Sequence, residues 1–338
     1  MPATVRTLAR SLRLSPATVS NALSGHGRIA PATEQRVRKA AAAAGYRHNP
    51  LAGSLMSEHR RSQGSAFRGV LAAVDVEEPG REPHGLFHQE LVRGARLRAK
   101  ELGFDVEQFV VGRGGLTMPR LDFILKSRGI HGVVLLPTWF TPDYSQLDWS
   151  RYAGVYTDYN IQQPALHCVC CNHYRSMMET LQQLAVRGYR RPGLFLEEGR
   201  NERLQHRWGA AFLAFQHSHP GIEEVPLQLV PEIRQETFLP WFRRYQPDVV
   251  LSHFTSPLDW MEGCGARVPA QHGYVCLNLL FQTRPSAGLD QQPRELGTRA
   301  SEQVIAQLQR NDRGLPAWPT ITTTPARWVD GPTLRGGR

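Results

Sequence analysis

Beyond residue 66, strand-like and helix-like sequence patterns alternate along the chain. Apolar runs with the length of buried strands stand at 69–75, 105–111, 132–136, 154–157, 193–196, 248–251 and 274–277. Helical patterns stand at 87–102, 119–127, 174–187, 203–217, 234–245 and 293–310. Because parallel strands need a long crossover connection, usually a helix, this alternation predicts parallel sheets with helices on both faces.

The first 62 residues differ from the rest of the chain in their charge. They carry ten Lys or Arg against two Glu, so this segment holds +8 of the chain's formal net charge of +10. Such a concentration is typical of a module that neutralises nucleic-acid phosphates. A basic face that serves only solubility is the alternative that charge alone leaves open.

Three short helical patterns follow one another in this basic segment, at residues 5–12, 17–23 and 31–44. Ser15 followed by Pro16 is a strong start signal for the second helix, because Ser caps a helix and Pro fits its first position. Two helices joined by a short turn and closed by a third predict a helix-turn-helix.

The same segment closely resembles the head of the LacI/GalR (lactose-repressor) family. The stretches that carry the resemblance are TVRTLA at 4–9, LSPATVSNAL at 14–23, residues 36–46 and NPLA at 49–52. The resemblance implies a recognition helix at about 16–23 in the major groove of DNA. It also implies a hinge helix at about 50–56 that folds on operator DNA.

The resemblance further implies which residues contact DNA: Thr4, Ser15, Pro16, Ala17, Thr18, Asn21, Asn49, Ala52 and Leu55. Ser15 and Thr18 are expected at phosphates, which fix the register of the protein without reading sequence. Asn21 stands where the family most often has Arg. Because Asn pairs bidentately with adenine, we expect a half-site that differs from the guanine-reading norm.

Two hinge residues correspond to positions that insert into the minor groove in the family. Leu55 matches the leucine that wedges into the central base step, and Ala52 matches the small residue beside it. The alternative is that Leu51 and Leu55, four residues apart, only form the core of a short helix.

The remaining chain resembles, more loosely, the periplasmic-binding-protein-like core of the same family. The segments 171–173, 188–191, 268–278, 290–300 and 328–334 carry this resemblance. It implies two Rossmann-like lobes with crossovers between them and a ligand cleft at the carboxyl ends of the strands. The expected domains are a head at 1–48, a hinge helix and linker at 49–66, and an effector-binding and dimerisation core at 67–338.

The candidate effector-binding residues are Asp75, Trp139, Asp158, Arg207, His253 and Asn278. Arg207 resembles the family's effector-contacting Arg, and Asn278 stands where members typically carry an Asp. The other four lie at or just after predicted strand ends, where loop and packing roles are equally open. A sugar, a nucleoside, an unusual ligand and no ligand all remain open as occupants of the cleft.

Signatures of an enzyme are absent from the sequence, which has no P-loop, GxSxG elbow or HExxH motif. His84 and His88 are four residues apart, but no carboxylate or cysteine set completes a metal site, so we expect no metal and no cofactor. No stretch reaches the roughly 20 apolar residues of a membrane helix. With an odd number of cysteines in apolar surroundings, these features predict a cytoplasmic protein with reduced thiols that binds no membrane.

These observations together predict a dimeric, sequence-specific transcription regulator, of the repressor type, on a pseudo-palindromic DNA operator. A small-molecule effector is expected to control it. Two alternatives stay open: a DNA-bound scaffold whose ligand cleft is vestigial, and a ligand-modifying enzyme tethered to DNA.

Overall fold

The computed structural model describes residues 5–24, 29–44, 67–78, 85–140, 142–159 and 163–336 of the 338-residue chain. The chain divides into two compact units, Met1–Ala66 with Ala306–Asp312 and Phe67–Ile305 with Arg313–Arg338. The predicted hinge segment lies outside the described residues, and so do Thr4, Asn49, Ala52 and Leu55.

The described part of the N-terminal segment consists of the helices Val5–Leu12 (α1), Pro16–Ser24 (α2) and Pro31–Ala43 (α3). Their apolar faces meet in one core, formed by Leu8, Ala9, Val19, Ala22, Val37 and Ala41. Three residues separate α1 from α2, and Arg13 turns the chain there with a φ of 54°. The predicted helix-turn-helix is therefore confirmed.

The first of two sheets forms lobe one. Its strands are Gly69–Val76 (β1), Phe104–Val111 (β2), Gly132–Leu135 (β3), Ala153–Tyr156 (β4), His167–Cys171 (β5) and Ile321–Thr324 (β11). They lie in the order β11-β5-β4-β3-β1-β2, and all of their pairs are parallel. The helices of this lobe are Leu86–Glu101 (α4) and Met118–Ser127 (α5), with 3-10 turns at Arg113–Gly115, Tyr144–Gln146 and Trp149–Arg151.

The second sheet forms lobe two. Its strands are Pro192–Glu197 (β6), Gln228–Val230 (β7), Val249–Ser252 (β8), Gly273–Cys276 (β9), Ala287–Asp290 (β10) and Arg327–Val329 (β12). They lie in the order β12-β10-β9-β8-β6-β7, and only the β10–β12 pair is antiparallel. The helices are His173–Val186 (α6), Glu198–Arg203 (α7), Arg207–Ser218 (α8), Gln235–Tyr245 (α9) and Ser256–Gly263 (α10), with a 3-10 turn at Leu279–Phe281.

Three segments of the described chain cross between the lobes: β5 to α6, β10 to the helix Pro293–Arg310 (α11), and β11 to β12. Hydrogen bonds join these segments to one another. The amide of Asn172 donates to the carbonyl of Thr324 at 2.8 Å, and Gln292 Nε2 donates to the carbonyl of Pro325 at 2.8 Å. The predicted two-lobed α/β core with crossovers is confirmed.

Helices α4 and α11 touch backbone to backbone in lobe one. A Cβ added at Gly94 would lie 1.8 Å from the carbonyl oxygen of Arg294, and one at Gly297 would lie 1.9 Å from the carbonyl oxygen of Leu91. Real Cβ atoms do not approach backbone this closely, so only glycine permits this packing at both positions.

The sequence patterns were wrong about one helix and silent about several short elements. The helix expected at 203–217 begins only at Arg207, because Gln205 and His206 take left-handed φ values of 54° and 58° there, and α7, which ends at Arg203, was not predicted. The patterns gave no prediction for β5, β7, β10, β11, β12 or α10, which are all eight residues or shorter. Within the described ranges, no helix combines the length and the apolar character needed to cross a membrane.

We expect Gly94→Ala to destabilise the large unit, because the new methyl group would overlap the Arg294 carbonyl. Overpacking of this kind costs about 1–3 kcal/mol, which a lower midpoint of urea unfolding would report. Gly263→Ala is the matched control, since Gly263 is exposed at the end of α10 with nothing within 4 Å of an added Cβ. Equal midpoints for the two variants would contradict the close packing of α4 on α11.

Candidate functional site

The beginning of α2 is held by its capping residue. Ser15 Oγ accepts a hydrogen bond from the Thr18 amide at 3.0 Å and lies 2.7 Å from Thr18 Oγ1. Ser15 and Pro16 are exposed and Thr18 is half-buried. The two residues predicted at phosphates therefore lie together at the positive end of a helix, where anionic oxygens are stabilised. Ala17 and Asn21 also belong to α2, but their side chains lie outside the described residues.

Positive side chains cover the surface of this three-helix segment. The exposed cations within its described residues are Arg10, Arg13, Arg36, Arg38 and Lys39. Arg36 donates to the carbonyl of Leu12 at 3.2 Å, which closes the C-terminal end of α1. Arg38 forms an ion pair with Glu34, and the remaining cations face solvent with no acidic partner in the described part. The segment thus presents a cationic surface to an incoming polyanion.

A cavity of about 90 Å³ lies in the large unit between its two lobes. Lobe one contributes residues that follow β3 and β4 together with the last residues of β5, and lobe two contributes His173 and residues that follow β6, β8 and β9. Because the carboxyl ends of parallel strands lie at one edge of a sheet, both lobes direct these loops into the same cleft.

Four of the six candidate effector residues line this cavity: Trp139, Asp158, His253 and Asn278. Asp75 does not, because its carboxylate is buried against His88, which lines the cavity, with 3.2 Å between Asp75 Oδ1 and His88 Nδ1. Arg207 does not line it either, because its guanidinium lies over the ring of Tyr159, 4.0 Å from the ring centroid.

Two arginines of α7 reach across the cleft, and the sequence patterns missed both. Arg203 forms an ion pair with Asp158 of lobe one, and its guanidinium is 5.0 Å from the ring centroid of Trp139. Arg200 forms an ion pair with Glu197, and its guanidinium is 4.5 Å from the Trp139 ring and 4.7 Å from the Phe254 ring. A guanidinium over an aromatic face gains cation–π attraction, so both arginines connect lobe two to lobe one.

Two buried histidines complete the cleft from the side of lobe two. The rings of His173 and His253 lie 4.8 Å and 6.0 Å from the Trp208 ring. Burial lowers the pKa of His173 to about 3 and lowers the pKa of His253 well below its usual value, and the charge of Arg203 adds to both shifts. Both imidazoles are therefore neutral at pH 7. Their Nδ1 atoms are buried with no hydrogen-bond partner among the described atoms.

The cysteines at the cleft are poor nucleophiles. All five cysteines of the chain are free, and Cys170 and Cys171 line the cavity. Burial raises the pKa of Cys171 to about 12 and also raises that of Cys170, so both thiols stay protonated. In the part of the chain that the structure describes, no group of three or more His, Cys, Asp or Glu is placed to hold a metal.

The comparison of sequences gives one distant curated relative. No protein-family model matches the chain. The HTH-type transcriptional regulator AscG of Escherichia coli (strain K12) is 23% identical over 192 residues, which are 55% of this chain and 53% of AscG. The matched part thus spans about half the length of that curated relative.

Solved structures match nearly the whole chain. The complex of the transcriptional regulator CelR with cellobiose superposes with a TM-score of 0.58 at 18% identity, over 98% of this chain and 99% of CelR. The lac repressor dimer bound to operator and the anti-inducer ONPF gives a TM-score of 0.56 at 15% identity, over 99% and 100% of the two chains. The fold is that of the LacI-type regulators. The resemblance that the N-terminal motifs indicated is confirmed at the level of the fold.

This chain, which has the fold of the LacI-type regulators, has two candidate sites. One is the capped start of α2 with the cationic surface around it, and the other is the cleft between the lobes. Each is built from residues whose backbone positions follow from the fold, namely a helix N-terminus and the carboxyl ends of parallel strands.

We expect Asp158→Asn to lower the free energy of unfolding by about 2–3 kcal/mol, because it leaves the mostly buried guanidinium of Arg203 without its ion partner. Adding Arg203→Gln should recover part of that loss, giving a coupling energy of about 1 kcal/mol or more in a double-mutant cycle. The exposed pair Arg128–Glu107 is the control, with an expected coupling below about 1 kcal/mol. Strictly additive effects at Asp158 and Arg203 would show that the pair does not stabilise the cleft.

Proposed function

We propose that this protein is a sequence-specific DNA-binding transcription regulator, that it binds a two-fold-symmetric operator as a dimer, and that it responds to a small molecule in the cleft. The observation that carries the proposal is the helix-turn-helix with an exposed, capped α2 inside a strongly cationic segment. A helix presented in this way fits the major groove of B-DNA.

The DNA-binding roles divide between attraction and reading. The charge of +8 over the first 62 residues supplies attraction to phosphates that does not depend on sequence. Ser15 and Thr18, at the beginning of α2, are proposed to hold the backbone of the DNA, and Thr4 is proposed to contact DNA beside them. Pro16, Ala17 and Asn21, on the same helix, are proposed to meet base edges.

A dimer on a symmetric site follows from the small size of the reading helix. One α2 of nine residues reaches only a few base pairs, so two copies related by a two-fold axis double the length of the site. The lac repressor structure that matches this chain is a dimer on its operator. Asn49, Ala52 and Leu55 are proposed to bind the minor groove between the half-sites, with Leu55 as the apolar wedge.

The cleft is proposed to control DNA binding through the relative position of the lobes. Arg200 and Arg203 of lobe two contact Trp139 and Asp158 of lobe one, so a ligand that changes these contacts shifts the lobes. Coupling energies between such sites are typically about 1–3 kcal/mol. We propose a binding role for the cleft rather than catalysis, because its thiols are protonated and its ion pairs are internal, and we place the regulator in the cytoplasm.

The test is in vitro selection of duplex DNA by the full-length protein at physiological salt. We expect the selected sequences to share a two-fold-symmetric site, because each head of a dimer reads one half. Equal recovery of random duplex and of any symmetric sequence would contradict the proposal.

Two variants separate base reading from phosphate attraction. Asn21→Ala should relax the preference for adenine at one position of each half-site, at a cost of about 1–3 kcal/mol per bidentate pair. Lys39→Gln, on the exposed face of α3, should weaken binding to all sequences alike and reduce the salt slope by about 1 for each phosphate that is no longer neutralised. A guanine requirement opposite residue 21 in the parent protein would contradict the role of Asn21.

A further inference from the structure

We propose that the ligand of the cleft is a small organic anion whose carboxylate or phosphate oxygens bind Arg203, His173, His253 and Asn278. This inference rests on the proposed role of the cleft as an effector site and names the class of effector. Its basis is the hydrogen-bonding capacity that the residues lining the cavity leave unused.

The acceptors of the cleft are already engaged by groups of the protein. Asp158 accepts hydrogen bonds from Arg203 and from the amide of Tyr159, the latter at 2.7 Å. Glu78 accepts from the amide of Trp139, and Glu197 accepts from Arg200 beside the cavity. A ligand hydroxyl that needs to donate its proton therefore meets carboxylates that already hold protein donors.

Several nitrogen atoms of the cleft, by contrast, have no hydrogen-bond partner in the part of the protein that the structure describes. The Nε atom of Arg203 is buried without a hydrogen-bond partner among the described residues, as are the Nδ1 atoms of His173 and His253. Asn278 Oδ1 accepts from the Leu280 amide at 3.2 Å, while its Nδ2 donates to no described residue. Guanidinium Nε and amide Nδ2 can only donate, and each neutral imidazole donates to the ligand when its single N–H is on Nδ1.

An anionic group fits this set better than a neutral polyol does. Buried donors without a partner are costly, and carboxylate or phosphate oxygens accept several hydrogen bonds without bringing a proton of their own. Bonds in which a guanidinium meets an anionic oxygen are among the strongest in proteins. A sugar hydroxyl would satisfy one donor while adding another proton that needs an acceptor.

The charges around the two imidazoles point the same way. The positive charges of Arg200 and Arg203 lower the pKa of His253, and those of Arg203 and Arg207 lower the pKa of His173. All of them disfavour protonation of the rings. A negative ligand group beside the two rings would be attracted by these guanidinium groups.

The experiment is thermal unfolding of the full-length protein with matched ligands at constant ionic strength. The probes are glucose, gluconate and glucose 6-phosphate, ribose and ribose 5-phosphate, malate and inorganic phosphate. We expect at least one anion to raise the melting temperature saturably, with an affinity at least tenfold above that of its neutral parent. Comparing the stabilisation by gluconate and malate with that by the phosphate compounds distinguishes a carboxylate ligand from a phosphate ligand.

Variants locate the effect in the cleft. The double variant Arg203→Gln with Asp158→Asn removes both charges of the cross-cleft pair, so no lone buried charge is left, and it should weaken anion binding at least tenfold. Arg128→Gln with Glu107→Gln removes an equally matched pair from an exposed face of lobe one and should bind as the parent does. An anion effect of equal size in all three proteins would come from the basic N-terminal segment and would overturn the proposal.

Two further outcomes would also overturn it. One is stabilisation by neutral sugars without stabilisation by their anionic counterparts. The other is that no anion raises the melting temperature more than chloride does at the same ionic strength. Selection of a symmetric DNA site is measured independently on the same proteins. A protein that selects such a site but takes only neutral ligands keeps the regulatory function and loses the anion assignment. A protein that binds anions in the cleft but selects no symmetric DNA site keeps the anion assignment and loses the regulatory function.

Discussion

The carboxyl ends of two parallel sheets face one cleft, and most of the chemistry of this protein depends on that constraint. Parallel strands place every connection that leaves them at the same edge, so polar residues distant in sequence converge there without any local signal between them. Asp158 follows β4, His253 follows β8 and Asn278 follows β9, yet all three line one cavity. The Arg203–Asp158 ion pair then fastens the edge of one sheet to that of the other.

The sequence was sufficient to predict what depends on local periodicity and on strand ends. The three N-terminal helices have regular apolar spacing, and α2 has the start signal of Ser15 and Pro16. The four predicted residues that line the cavity, Trp139, Asp158, His253 and Asn278, lie shortly after buried apolar runs. The strands β11 and β12, each at one edge of its sheet, were not predictable in this way. β11 is Ile-Thr-Thr-Thr with mostly exposed side chains, and β12 is three residues long, so neither has a buried face to produce a pattern.

The sequence patterns missed Arg200 and Arg203 because the position of both depends on a break between two helices, and the composition does not indicate that break. Gln205 and His206 take left-handed backbone angles although neither is glycine, and this separates α7 from α8. The resemblance to the LacI/GalR family made Arg207 the expected ligand contact. In the structure the guanidinium of Arg207 lies over the ring of Tyr159, and Arg200 and Arg203 of α7 line the cavity instead. Asp75 was also predicted from its strand end, but its carboxylate is covered by His88.

The three lobe-to-lobe segments have a mechanical consequence because they are hydrogen-bonded together. Asn172 is tied to Thr324 and Gln292 to Pro325, and Ser176 Oγ accepts the amide of Ala326 at 2.9 Å. Connections tied at several points cannot lengthen or slide independently. A rearrangement of the lobes that keeps these bonds must therefore carry the three connections along as one unit.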